Sequence, residues 1–234
     1  MDYFSRFPQT LLPSNSKPVL ITDFLRRVSL SDKFRINTVF LDDYLVKDSE
    51  TPEMVSNIFY GSPRYHWVIL MVNDITNPRE EWPIPNDKIT DVVYATYDFI
   101  IEVPEASEYN VDDVITSDND GTFIVTKIID NKIYMRSQVG KILLTTSNVL
   151  TNTTTEVEDL VMNSITDPEE AVHHYYDTEI GYIVDEDFSM NTVPVSNYEY
   201  EVEKNDAKRV VKILNNAYVE QIVQEFSDKI SGGN

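Results

Sequence analysis

The chain has 234 residues, 41% of them apolar, enough for packed cores in two small lobes with terminal arms. Its 40 acidic against 19 basic residues give a net charge of −21, which argues against phosphate-backbone binding and disfavours adhesion to anionic membranes. A solvated acidic surface, or attraction to a basic neighbour, is what that charge allows. Cysteine is absent, so disulfides, thiol catalysis and thiolate metal sites are excluded.

Residues 1–20 hold three prolines and the aromatics Tyr3, Phe4 and Phe7. They predict an extended arm with apolar anchors that orders when it docks. No basic start followed by an apolar run is present, so no signal peptide is expected. Thr22 is placed to cap a short helix with Phe24, Leu25 and Val28 inward, and residues 38–46 read as a strand. Thr51 then serves as N-cap and Pro52 as the first helical residue. Met54, Val55, Ile58 and Phe59 follow at helical spacing, and Gly61 stops the helix where φ turns positive. Ser62 and Pro63 repeat the start. Residues 65–72 form a second helix, apolar almost all round and stopped by Asn73 and Asp74, so it belongs at the centre of a small module. Its longest strictly apolar run, residues 67–72, is far below the roughly 20 residues of a membrane span. Pro83, Pro85 and Asn86-Asp87 turn the chain towards a closing strand at residues 89–94.

From residue 97 the apolar period shortens to that of strands. Residues 99–103, 111–115, 123–129, 132–136 and 142–145 read as strands. Asp130-Asn131 is a two-residue hairpin signal, and Gly121 and Gly140 mark turns. Such spacing predicts a small antiparallel barrel or sandwich. Residues 151–168 read as a loop, 168–185 as a strand pair around Gly181, and 186–206 as acidic and irregular. A short strand at 209–214 leads to a final helix. Its stripe is Val219, Ile222, Val223, Phe226 and Ile230, with Glu220, Gln221, Gln224, Glu225 and Asp228 opposite. The stripe has two possible burials, against its own lobe or in a groove of a partner. The fold class is α+β. It comprises an arm (1–20), a small βααβ lobe (21–96), an inserted antiparallel β-rich module (97–200) and a C-terminal strand and helix (201–234).

Tyr44, Val46, Ser49, Glu50 and Thr51, then Tyr60-Gly61, then Asn73, follow the order of a LysM module, with Ser49-Glu50 in place of the usual Gly-Asp. The segment FYGSPRYHWVILMVNDITNP, residues 59–78, more closely resembles one branch, the LysM-containing baseplate wedge subunit of contractile-tailed, T-even-like phages. The resemblance implies a LysM-like lobe in a non-enzymatic structural protein without cofactor. The implied partners are other baseplate wedge subunits and the sheath-initiating subunit, in a sixfold assembly that joins wedges around the tail hub. It also implies no nucleic acid and no membrane, a place in the virion tail baseplate, and assembly in the host cytoplasm. The alternative is a peptidoglycan- or chitin-binding LysM module. A third class is an acidic mimic of nucleic acid. Sugar-binding LysM modules use the groove that corresponds here to Asp48–Thr51 facing Asp74–Pro78. Its acids, its lack of aromatic platforms and its missing glycine argue against a sugar.

No catalytic constellation is present: no Gly-rich phosphate loop, no Gly-x-Ser-x-Gly and no His-Glu-x-x-His. His173-His174 with Asp177, Glu169 and Glu170 is the one cluster with metal-ligand chemistry. Adjacent strand residues point to opposite faces, so one imidazole is expected buried and the other exposed, with no metal bound. Trp67 belongs to the core. The candidate partner-binding residues are Phe4, Phe7, Trp82, Ile222, Phe226 and Ile230; Trp82 is chosen because it stands in a proline-flanked loop.

Overall fold

Local capping chemistry builds the helices that follow Leu41–Leu45. The Thr51 hydroxyl accepts the Met54 N–H at 3.4 Å, Pro52 opens the helix Pro52–Tyr60, and Gly61 ends it at φ 67° with its N–H on the Asn57 carbonyl. The Ser62 hydroxyl starts a 3₁₀ turn, Pro63–Tyr65, which runs into the helix His66–Val72. The computed structural model describes residues 6–13, 17–23, 40–156, 162–186 and 188–231. It divides into two units, Met1–Pro85 with Asn205–Asn234, and Asn86–Lys204.

In the first unit the two helices are framed by the strands Leu41–Leu45 and Val210–Leu214, which pair antiparallel from Leu41↔Leu214 to Leu45↔Val210. The partner strand is therefore not residues 89–94. That stretch is a helix, Ile89–Thr96, and it lies in the second unit with Ile89, Val93 and Tyr94 buried. Ile89 and Val93 are one helical turn apart, a period that a strand reading overlooks. Asn73 stitches the distant strand in place. Its amide donates to the carbonyls of Ile69 and Lys212, each at 2.8 Å, and its Oδ1 accepts the Lys212 N–H at 2.7 Å.

The core of this unit gathers Val55, Trp67, Val68, Ile69 and Val72 from the helices, with Val211, Ile213 and Leu214 from the strand. The final helix, Val219–Ser231, adds Val219, Ile222, Phe226 and Ile230. Phe226 lies against Trp67, ring centroids 4.8 Å apart, and meets Phe7 edge-on at 6.1 Å. The described part of the N-terminal segment pairs with itself as a hairpin, Gln9–Leu12 antiparallel to Val19–Thr22. The short helix expected after Thr22 lies outside the described residues.

The second unit contains a six-stranded antiparallel sheet. Its order is Leu150–Asn152, Val114–Ser117, Thr122–Ile129, Lys132–Ser137, Phe99–Glu102 and Ser164–Thr166. Phe123, Val125, Ile133 and Met135 alternate inward and are fully buried. Asp130, at φ 50°, makes the tight turn that sets Ile129 opposite Lys132. Both edge strands fall in stretches that read as turn or loop, because three residues are too few to show a period. No strand forms at residues 142–145.

A three-stranded sheet follows, in the order Tyr182–Val184, Val172–Asp177, Thr192–Ser196. The acidic stretch expected to be irregular contains the last of these strands and the helix Asn197–Asp206. That helix hides its signal by burying polar residues, Asn197, Glu201 and Asn205, at successive i+4 positions. The Asn197 amide donates to the Pro168 carbonyl at 3.0 Å, and Glu201 accepts the Tyr97 hydroxyl at 2.9 Å. Asn205 accepts the Ile84 N–H at 2.8 Å and donates to its carbonyl at 3.0 Å.

Candidate functional site

The two loops expected to border a groove, residues 48–51 and 74–78, are held by hydrogen bonds that two carboxylates accept from nearby backbone and hydroxyl groups. In the first, Ser49 takes φ 62°, the left-handed region that favours glycine, and so holds the turn at some backbone cost. The Glu50 carboxylate accepts the Tyr44 hydroxyl at 2.7 Å and the Lys47 N–H at 2.9 Å. Burial, reinforced by this bond and by the Glu50 charge, pushes the Tyr44 hydroxyl up to about 12. Beside the second loop, Glu81 at the end of the short helix Pro78–Glu81 accepts the Asn77 N–H at 2.8 Å and the Thr76 hydroxyl and N–H at 3.0 and 3.2 Å. These bonds, that from Asn77 foremost, hold its carboxyl below the usual range. Both carboxylates are thus engaged in shaping backbone.

Trp82 is part of the same clasp. Its ring is buried and its Nε1 donates to the Glu50 carbonyl at 2.8 Å. It is neither an exposed platform for a sugar ring nor a surface contact in the isolated chain. The same holds for most of the predicted partner residues. Phe7, Ile222, Phe226 and Ile230 are all buried in the core of the first unit. The final helix takes the first of its two possible burials, because Trp67 and Phe7 offer it a complementary aromatic face. Phe4 lies outside the described residues.

The histidine pair departs from the alternation rule, and neither imidazole takes the buried place expected for one of them: His173 is exposed and His174 half-buried. The strand register shifts between Val172 and His174, and this irregularity brings both imidazoles together, Nδ1 to Nδ1 at 2.9 Å. His173 stacks on Tyr200, with centroids 3.8 Å apart and planes 10° apart. Loss of water, then the neighbouring His174, lowers the His173 pKa. Among the described residues no group of three or more His, Asp or Glu side chains is arranged to hold a metal ion. Nor is any described helix long and apolar enough to cross a membrane.

Strand period alone could not reveal which apolar side chains stay outside. Leu11 and Leu20 face each other across the N-terminal hairpin and are more than half exposed. In the three-stranded sheet Tyr182 and Ile183 are more exposed still.

The family model described as base plate wedge protein 53 matches residues 5–133. Baseplate wedge protein gp53 of Enterobacteria phage T4 is 34% identical to this chain over 68 residues, 29% of this chain and 35% of the relative. The chain therefore spans about a third of the length of that curated relative.

Proposed function

The chain belongs to the base plate wedge protein 53 family, and on that premise we propose that it works by contact alone. In this reading it binds other wedge subunits and the sheath-initiating subunit and helps join neighbouring wedges around the tail hub. It carries out no catalysis and is assembled into the tail in the host cytoplasm. The observation that carries the reading is the family match over residues 5–133, which takes in the first strand and both helices of the βααβ lobe. The groove supports it. A LysM-like lobe whose Glu50 and Glu81 carboxylates are engaged by its own N–H and hydroxyl groups, and whose Trp82 is buried, is suited to packing against protein rather than to holding a glycan. The second unit, Asn86–Lys204, is inserted in sequence between the two segments of the first.

The test is genetic and biochemical. A phage deleted for this gene is complemented with the full chain, and purified tails and assembly intermediates are analysed by mass spectrometry. The reading expects the chain in tails, co-purification with wedge intermediates, and no closed baseplates without it. Closed, infectious tails assembled in its absence would refute it.

A further inference from the structure

The middle strand of the three-stranded sheet carries Tyr176, which lies directly opposite Ile183 on one neighbour and Val193 on the other. Direct cross-strand partners point to the same face, so these three side chains form one row across the sheet. All three are exposed, at 36, 67 and 42%. The corresponding row Val125–Met135–Phe99 of the six-stranded sheet is fully buried.

The stretch of chain that carries this row is one-sided in charge, and the lysines that bound it, Lys141 and Lys204, are paired with Glu169 and Glu201. Residues 142–203 contain 14 Asp and Glu and no Lys or Arg. Asp185 and Glu186, both exposed, follow Ile183 within three residues. This field decides between occupants. A second copy of the chain, at −21, brings the same sign to the contact. Nucleic acid and anionic lipid are repelled for the same reason. A protein surface with an apolar centre bordered by Lys and Arg is attracted by the rim and buries the row.

We propose that the row Ile183–Tyr176–Val193 is a docking face for another tail protein that presents an apolar patch flanked by basic residues. The inference rests on the wedge reading for the class of partner. Its residues lie beyond the part of the chain that the family match covers.

The test uses the full chain in the complemented phage. Ile183→Ser with Val193→Ser removes the apolar row, and Asp185→Lys with Glu186→Lys reverses the rim. Val139→Ser, an exposed valine elsewhere in the same unit, is the control. The chain content of purified tails is expected to fall about tenfold or more for both paired variants, the scale of about 1.4 kcal/mol in binding. Val139→Ser should match wild type, and the melting temperatures of the purified chains should be unchanged. Independently, Ile183→benzoylphenylalanine should photo-crosslink in tails to a different protein, within a few residues of Lys or Arg. Incorporation of both paired variants within about twofold of wild type, or a crosslink to a second copy of this chain, would overturn the docking face while leaving the wedge reading intact. Absence of the wild-type chain from tails would overturn the wedge reading, and this inference with it.

Discussion

The six-stranded and three-stranded sheets of the second unit carry apolar side chains in similar proportion but place them differently. In the larger sheet, Phe123, Val125, Ile133 and Met135 meet Phe99, Ile101 and Leu150 in one core. In the smaller sheet, Tyr176, Ile183 and Val193 face outward, and the middle strand is anchored by a polar residue instead. Asp177 is buried, accepting the Glu179 and Ile180 N–H groups at 2.8 and 3.0 Å and the Ser189 hydroxyl. The contrast separates two uses of strand chemistry. Apolar alternation stabilises the larger sheet from within. The smaller one is shaped by hydrogen bonds and keeps its apolar surface available for contact.

The largest expected effects come from the buried aromatics. Phe123→Ala in the larger sheet should cost about 3–5 kcal/mol, as should Trp67→Ala in the first unit, since each leaves a cavity in a closed core. Denaturant unfolding of each variant measures this. A loss below about 1 kcal/mol would mean that these rings are not core residues.

Next comes the polar clasp of the first unit. Asn205→Ala strips both partners from the Ile84 amide and carbonyl and should destabilise by about 1–3 kcal/mol. An unchanged unfolding midpoint would show that water replaces the side chain without loss.

Smaller again is the acid limb of stability. Hydrogen bonds from Ser189, Ile180 and Glu179 lower the Asp177 pKa in the folded chain. A carboxylate held below its unfolded value stabilises the fold above the unfolded pKa, about 3.9, and that contribution is lost as pH falls through the lower folded value. Asp177→Asn should flatten the decline of melting temperature below about pH 4, though not abolish it, because Glu81 shifts in the same direction. An acid limb identical to wild type would remove Asp177 from the account.

The comparison is sharpest where little should change. Ile183→Ser should alter stability by no more than about 0.5 kcal/mol, the usual range for an exposed site. A cost comparable to that of Phe123→Ala would mean that the smaller sheet has a core of its own. Calorimetric titration of the chain with chitin oligomers or muropeptides should give no heat of binding. Micromolar affinity for either would restore a glycan role to the groove between Asp48 and Pro78.

What could be read from sequence alone was local. Thr51-Pro52, Gly61, Ser62-Pro63 and Asn73 each mark a helix boundary through chemistry confined to a few neighbouring residues, and Asp130-Asn131 marks a hairpin in the same way. The apolar stripe of the final helix was also visible, because its period lies within one element. Tertiary structure decided everything that depends on a distant partner. It selected Val210–Leu214, over a hundred residues away, to pair with Leu41–Leu45, through an Asn73 amide whose reach no local pattern encodes. It made a helix of Asn197–Asp206 by supplying buried partners to polar side chains, where an apolar period was the only sequence signal to seek. A strand irregularity joined His173 to His174. Tyr176 and Phe123 both sit in apolar strand positions. One is exposed and the other buried because burial depends on what packs above a sheet, and strand period carries no information about that.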